Sequence, residues 1–437
     1  MKRFLAWLIC GLLVLSLAGC GGKTPNSSEP VSNPGSTASD VLPDSSSEPS
    51  LPDASSSTPD ANPANPGEAT TTTKAPTTKV PDKSNTPTTK TPQVTTPVKV
   101  TQSLANTHYK LTVEKKLTVG YIGGSVTVGV GASNQEKTSW RARTTQWLKT
   151  TYPSATIQEG NAAISATGSF LGVCRIQEEL LQPYNPDLVF IEFAINDYYH
   201  ACLYDESVRN MESMVRMILS ANPNADIVLV YTANSTTAGQ DFDAIMAFEE
   251  VAKHYGLYSV NLGKTLVARE GSDALKSKGK YLTDTVHPND AGYEKYASYV
   301  IELLSSNLKG NGKLTKHAVP SPIRNDLYTK STIMDAAAIS AANPGVGTLS
   351  SNRNLYLKSG NQVTVKFKGA TVALWWKMDT GGDISLQLDG KRSALPAGNP
   401  DGAHKVLFQG LSNTAHTLKI SNRGTVTCSL RGLYVLE

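Results

Sequence analysis

Lys116-Leu-Thr-Val-Gly-Tyr-Ile-Gly-Gly-Ser125-Val-Thr-Val-Gly129 is the stretch from which the fold can be read. Leu117, Val119 and Tyr121 alternate with smaller or polar residues and Ile122 closes the run, the pattern of a buried strand. Gly123 and Gly124 then let the backbone turn sharply at the strand's carboxyl end, and the turn carries Ser125 to the rim of a sheet. In open α/β sheets that rim is where ligands bind. A strand followed by two glycines and a serine also describes an ordinary tight turn. The reading therefore depends on partners elsewhere in the chain.

Outward from this stretch, residues 103–317 alternate strand and helix patterns. The spacing predicts a helix around Ser139–Tyr152, with Trp140, Trp147 and Leu148 on one side, then a short strand at Thr156–Glu159. A helix around Leu171–Leu181 precedes a continuous apolar strand at Asp187–Ala194. Further helices are predicted near Glu206–Ala221, Asp241–Tyr255 and Asp290–Leu308, with strands at Asp226–Tyr231 and Tyr258–Asn261 between them. Fully apolar strands alternating with helices indicate a parallel sheet covered on both faces. Right-handed crossovers place every strand's carboxyl end on one edge. Ser125, the Ile164–Gly168 loop and Asn196 all follow predicted strands, so they gather on that edge.

The flanks have other compositions. Residues 1–20 combine Lys2 and Arg3, an apolar run from Phe4 to Leu17, and small residues before Cys20, which describes a secretory signal too short for a stable anchor. Leu17-Ala18-Gly19-Cys20 resembles the bacterial lipobox, whose cysteine receives a diacylglycerol. Lipidated at Cys20, the protein is expected to be extracytoplasmic and held to a membrane surface without spanning it. Residues 21–102 are dominated by Ser, Thr, Pro, Asp and Asn and build no core, so they read as a disordered linker. Such a tether spans roughly 50 Å as a coil and on the order of 200 Å if stiffened by proline.

Residues 318–437 lose the helical period. Val363, Val365 and Phe367 alternate with polar neighbours, as do Ile384, Leu386 and Leu388, with turns at Thr380–Asp383 and Asp389-Gly390, the pattern of an antiparallel β-sandwich. On its Trp375-Trp376 strand, Leu374 and Trp376 are assigned to the core face, and Ala373, Trp375 and Lys377 outward. Trp375 is then either a sugar platform or a packing residue against the preceding domain.

Composition excludes little but does so firmly. A net charge of +4 over 437 residues argues for neither nucleic acid nor a polyacidic ligand. The five cysteines form no CxxC pair, so neither a disulfide framework nor a structural metal is implied, although Cys174 and Cys202 have the option of pairing in an oxidising compartment.

A serine becomes a nucleophile only when a base takes its proton and a third group orients that base. Asp284-Thr-Val-His287-Pro288 supplies an aspartate three residues before a histidine, and Asp197-Tyr-Tyr-His200 has the same spacing. Spacing alone does not choose between them. Gly123-Gly124-Ser125, Asn161–Gly168, Ala194-Ile-Asn196-Asp197 and Asp284–Pro288 occur in one order, and that order resembles the four blocks of the SGNH (GDSL-type) hydrolase family over roughly residues 116–308. The resemblance implies a three-layer α/β/α flavodoxin-like domain with a parallel sheet, joined here to the C-terminal β-sandwich.

It also implies a serine nucleophile at Ser125, a base at His287 and its orienting aspartate at Asp284. The oxyanion hole would comprise the amides of Ser125 and Ala166 and the side chain of Asn196, with Gly168 as the fallback for Ala166. Ala166 stands where the family has glycine, a change tolerated if its φ stays negative. Asp197, His200 and Trp375 are further candidates for substrate contact. No cofactor or metal is expected. The expected activity is that of a serine esterase deacetylating an acetylated cell-wall or dietary polysaccharide. Two alternatives are an O-acyltransferase using the same residues and a catalytically silent polysaccharide-binding lipoprotein.

Overall fold

The computed structural model describes residues 102–310, 312–378, 383–394 and 404–437. The signal segment 1–20, Cys20, the linker up to residue 101 and the side chain of Trp376 lie outside what is described. Among the described residues no helix is long and apolar enough to cross a membrane.

Five strands form a parallel sheet: β1 (Lys116–Gly123), β2 (Thr156–Asn161), β3 (Leu188–Glu192), β4 (Asp226–Tyr231) and β5 (Tyr258–Asn261), in the spatial order β2-β1-β3-β4-β5. The order reverses between β1 and β3. The crevice at that switch point is where open α/β sheets take ligands, and β1 runs directly into Ser125. Successive side chains on each strand point to opposite faces, and both faces are buried. Val119, Tyr121, Leu188, Phe190, Val228 and Val230 pack beneath α2 (Trp140–Thr151) and α8 (Asp290–Asn307). Ile122, Val189, Ile191, Ile227 and Leu229 pack beneath α3 (Ser169–Ile176), α5 (Tyr204–Ala221) and α6 (Asp243–Tyr255). Between these lie the short helices α1 (Ser125–Val128) and α4 (Ala194–Tyr199), and α7 (Leu262–Glu270). The apolar run predicted to reach Ala194 leaves the sheet at Glu192, and Ala194 opens α4 instead.

The C-terminal part is an antiparallel β-sandwich. One sheet contains β6 (Ser331–Asp335), β7 (Thr348–Leu349), β8 (Leu355–Leu357), β10 (Thr371–Met378), β13 (His404–Phe408) and β15 (Cys428–Leu436); the other contains β9 (Gln362–Lys368), β11 (Ile384–Leu388), β12 (Lys391–Ala394) and β14 (Ala415–Asn422). Val363, Val365, Leu386, Leu418, Val372 and Leu374 fill the space between them.

Ala373 and Trp375 face away from the sandwich core, as assigned, but that side is covered, and of the two roles offered for Trp375 the structure shows packing against the preceding domain. Ala373 is fully buried and, with Tyr434, Leu436 and Tyr328, joins the core beneath α3 and α5. Trp375 packs against that core, its ring stacked on Tyr434 with the Arg431 guanidinium 4.6 Å from its centre. The backbone N–H of Ile333 donates to Glu178 just after α3 (2.7 Å). The alternation along β10 was legible, but the neighbouring domain covers the side that looked exposed.

Candidate active site

The site is built from the turn after β1. Gly124 donates its N–H to the backbone carbonyl of Glu192 (3.2 Å) and to that residue's carboxylate (3.3 Å). Glu192 is fully buried at the end of β3, and it also accepts the hydroxyls of Thr127 and Thr232, both at 2.8 Å. One carboxylate thus ties the serine turn, α1 and the end of β4 together. Burial pushes the Glu192 pKa up, against the hydrogen bonds from Thr232, Thr127 and Gly124. Ser125 is the first residue of α1, and a helix's first N–H groups have no acceptor within the helix.

Its hydroxyl lies 2.8 Å from Nε2 of His287, although the two residues are 162 positions apart. On the other side of the imidazole, Nδ1 is 2.7 Å from Oδ2 of Asp284. With Nδ1–H donating to that carboxylate, Nε2 is left to accept the serine proton. The other Asp284 oxygen accepts the backbone N–H groups of Val286 (2.7 Å) and His287 (2.8 Å), so the aspartate also shapes the loop that carries the base. Burial alone would raise the Asp284 pKa, but the His287 amide, the imidazole and the Val286 amide outweigh it and hold the group below the ordinary carboxylate range. The loop closes through the Thr283 N–H donating to the His287 carbonyl (2.8 Å).

Asn196 sits in the first turn of α4 and is almost wholly buried. Its carboxamide occupies the space that a Cβ on Gly124 would need. Glycine at 124 therefore does more than permit a turn, because any side chain there would displace Asn196. Gly131, at φ +91°, similarly leaves room for the Pro288 carbonyl and so seats the loop after α1 against His287.

The structure corrects two other expectations and answers a third. Asp197, matched to His200 by spacing and offered as a substrate contact, is buried with its carboxylate engaged by the Ser169 N–H (2.7 Å), the Ser169 hydroxyl (2.6 Å) and the Ser207 hydroxyl (3.3 Å). Burial raises its pKa to about 6 despite those bonds. It anchors α3 rather than an imidazole, while His200 stays exposed at the end of α4. Cys174 and Cys202 are both free, and Cys174 is buried in α3.

Ala166, finally, has φ +59°, not the negative value on which tolerance of alanine rested. It lies in an exposed turn closed by the Thr167 hydroxyl donating to the Ile164 carbonyl (2.7 Å). An L-residue in this left-handed region is disfavoured by roughly 1 kcal/mol, and glycine is not. Ala166→Gly is therefore expected to raise stability by up to about 1 kcal/mol, read as a higher thermal midpoint with kcat retained. A lower midpoint would contradict the assigned backbone conformation. Gly168, the fallback, is buried against Asp197 and His200 with φ −94°.

One residue near this loop escaped sequence reasoning. Arg175, fully buried at the end of α3, donates to the carbonyls of Ala162 and Gly123 (the latter 3.1 Å), to the Thr167 hydroxyl (3.2 Å) and to Glu179 (3.0 Å). It binds the loop bearing Ala166 to the end of β1, two residues before Ser125. An arginine within an apolar helix was the available signal.

Residues 121–295 match the model of the GDSL-like lipase/acylhydrolase family. No curated protein sequence matches the chain. Among solved structures, a two-domain esterase (CEX) active on acetylated mannans, co-crystallised with mannopentaose, is similar with a TM-score of 0.62 and 21% identity, covering 77% of this chain and 96% of that one. A second structure of a two-domain esterase (CEX) active on acetylated mannans gives 0.63 and 19%, with the same coverage. At such identity the likeness is one of fold.

Proposed function

We infer that this chain, an SGNH-type ester hydrolase by its GDSL-like domain, removes acetyl groups from a polysaccharide through an acyl-enzyme. The observation that carries the reading is the Ser125–His287–Asp284 relay, with its 2.8 Å and 2.7 Å steps, at the sheet's switch point. The Ser125 hydroxyl oxygen attacks the ester carbonyl while its proton passes to Nε2 of His287. Asp284 holds the resulting imidazolium. The Ser125 N–H and the Asn196 side-chain amide serve as donors to the tetrahedral oxyanion, each contributing on the order of 3 kcal/mol; the condition set for Ala166 as the third donor, a negative φ, is not met. Collapse breaks the bond to the sugar oxygen, which takes the proton from His287. Water, deprotonated by the same imidazole, then attacks the acyl-enzyme and releases acetate and free Ser125.

Polysaccharide as substrate is supported by a fold shared with an esterase active on acetylated mannans and by a sequence that reads as wall-facing. Lipid attachment at Cys20 of Leu17-Ala18-Gly19-Cys20 would keep the enzyme at the outer face of the membrane. The test is acetate release from acetylated mannan with water as the sole acceptor. Release at a rate independent of added sugar is expected. Turnover that requires a sugar hydroxyl as acceptor would instead make the protein an O-acyltransferase. No turnover and no labelling by a fluorophosphonate would leave a silent binding protein.

A further inference from the structure

The helix α4 that carries Asn196 in its first turn ends on two exposed aromatic residues, Tyr198 (39% exposed) and Tyr199 (51%). Exposure alone makes no site, but three contacts set this pair apart from surface tyrosines elsewhere. Tyr199 follows Asn196 by three residues, which puts the two side chains on one helical face about 5–6 Å apart. The Tyr199 hydroxyl accepts a hydrogen bond from Nδ2 of Asn234 (2.9 Å). Asn234 is itself fully buried, with its Oδ1 taken by the Thr237 N–H (2.6 Å). The next residue, Ser235, donates its N–H to the carbonyl of Thr285 (2.8 Å), between Asp284 and His287.

Tyr199 is thus strung between the helix of Asn196 and the loop of the catalytic histidine, the two flanks of the crevice at Ser125. Tyr198 braces it edge-on, with ring centres 5.5 Å apart, and leans in turn on Phe242 at 5.1 Å.

We propose that Tyr199, held by Asn234 and braced by Tyr198, is a stacking platform for a pyranose ring of the polymer bearing the scissile ester. The proposal rests on the polysaccharide reading above. A sugar ring offers a C–H face to an aromatic surface while its hydroxyls stay in water, so it suits an open platform tipped with a polar group. An acyl chain gains most from an enclosed apolar slot, and a half-exposed ring beside His200 and Asn234 is not one. The bond to Asn234 sets the tilt of the ring before the sugar arrives, so less side-chain freedom is lost on binding.

The test compares acetylated mannan with 4-nitrophenyl acetate. Tyr199→Ala is expected to raise KM for the mannan about tenfold, near 1.4 kcal/mol, with kcat nearly held. The loss on the mannan should exceed any loss on the small ester by about that factor. Tyr199→Trp, which keeps a flat aromatic face, should restore KM for the mannan to within about threefold of the parent. Equal losses on both esters, or an unchanged KM for the mannan, would overturn the platform while leaving the esterase reading intact. A loss that appears on 4-nitrophenyl octanoate but not on the mannan would overturn it in favour of an acyl-chain contact. If the parent enzyme cleaves 4-nitrophenyl acetate yet frees no acetate from the mannan, the polysaccharide reading falls and the platform falls with it.

Discussion

Ser125→Ala lowers kcat on a soluble acetate ester by about 10⁴-fold or more and abolishes labelling by a fluorophosphonate. The size follows from what the hydroxyl does and not from what it holds in place. Its contact with the His287 imidazole (2.8 Å) is a single hydrogen bond, so the structural penalty of losing it is about 1 kcal/mol. The chemistry loses its nucleophile entirely. His287→Ala should fall by a similar factor, because a hydroxyl without a base is a poor nucleophile. The double variant should be scarcely worse than either single one, since the two groups act as one unit. Measured kcat values for the three variants check this. If Ser125→Ala retained more than about a hundredth of the parent rate, Ser125 would not be the attacking group.

Much of this site was legible because its parts are short, local and ordered. The strand ending at Gly123 announces itself within a few residues, whereas Asn196 and the choice of Asp284-x-x-His287 over Asp197-x-x-His200 came from the order of the four blocks that resembles the SGNH family. The strand Asp226–Tyr231 is found where its apolar run predicts it, since a run buried on both faces needs no distant partner to be recognised; the half-buried edge strand Tyr258–Asn261 is also found where expected.

What escaped depends on partners far along the chain. Glu192 was read as the tail of an apolar strand, and its reach to Gly124, Thr127 and Thr232 exists only once β1, β3 and β4 lie side by side. Arg175 received no reading from sequence, because all its loop acceptors lie upstream, as far back as Gly123. The helix Leu262–Glu270 was missed because Gly263 breaks its pattern. That glycine lets the helix press on Ala233 beyond the end of β4, a contact no local window contains. Alternation placed Ala373 and Trp375 away from the sandwich core, as found, but left the role of Trp375 open, because it reports two faces and not what covers each. The sandwich that looked like a separable accessory shares a core with α3, and α3 carries the arginine that ties the Ala166 loop.

Asp284→Asn should lower kcat by about 10³- to 10⁴-fold while leaving the loop folded. The asparagine keeps a carbonyl oxygen able to accept the N–H groups of Val286 and His287, which the aspartate accepts at 2.7 and 2.8 Å. It loses the charge that favours a proton on Nδ1 and that stabilises the imidazolium when Ser125 gives up its proton. Asp284→Ala loses the backbone acceptor as well, so it should also lower the thermal midpoint. That difference separates the electrostatic role from the structural one.

The pH dependence runs in a definite direction. Because the folded pKa of Asp284 is depressed, its stabilising contribution is present above the unfolded value of about 3.9 and is lost as pH falls through the folded one. Between pH 5 and 8 the group stays ionised, so its charge is constant across that window and its protonation causes no change of activity there. In acid below about pH 4 the parent should lose stability relative to Asp284→Asn, which has no charge there to lose. Thermal midpoints of the two proteins measured from pH 7 down to pH 3 decide the point. A gap that stays constant through that range would mean that Asp284 is no more strongly ionised in the folded chain than in the unfolded one.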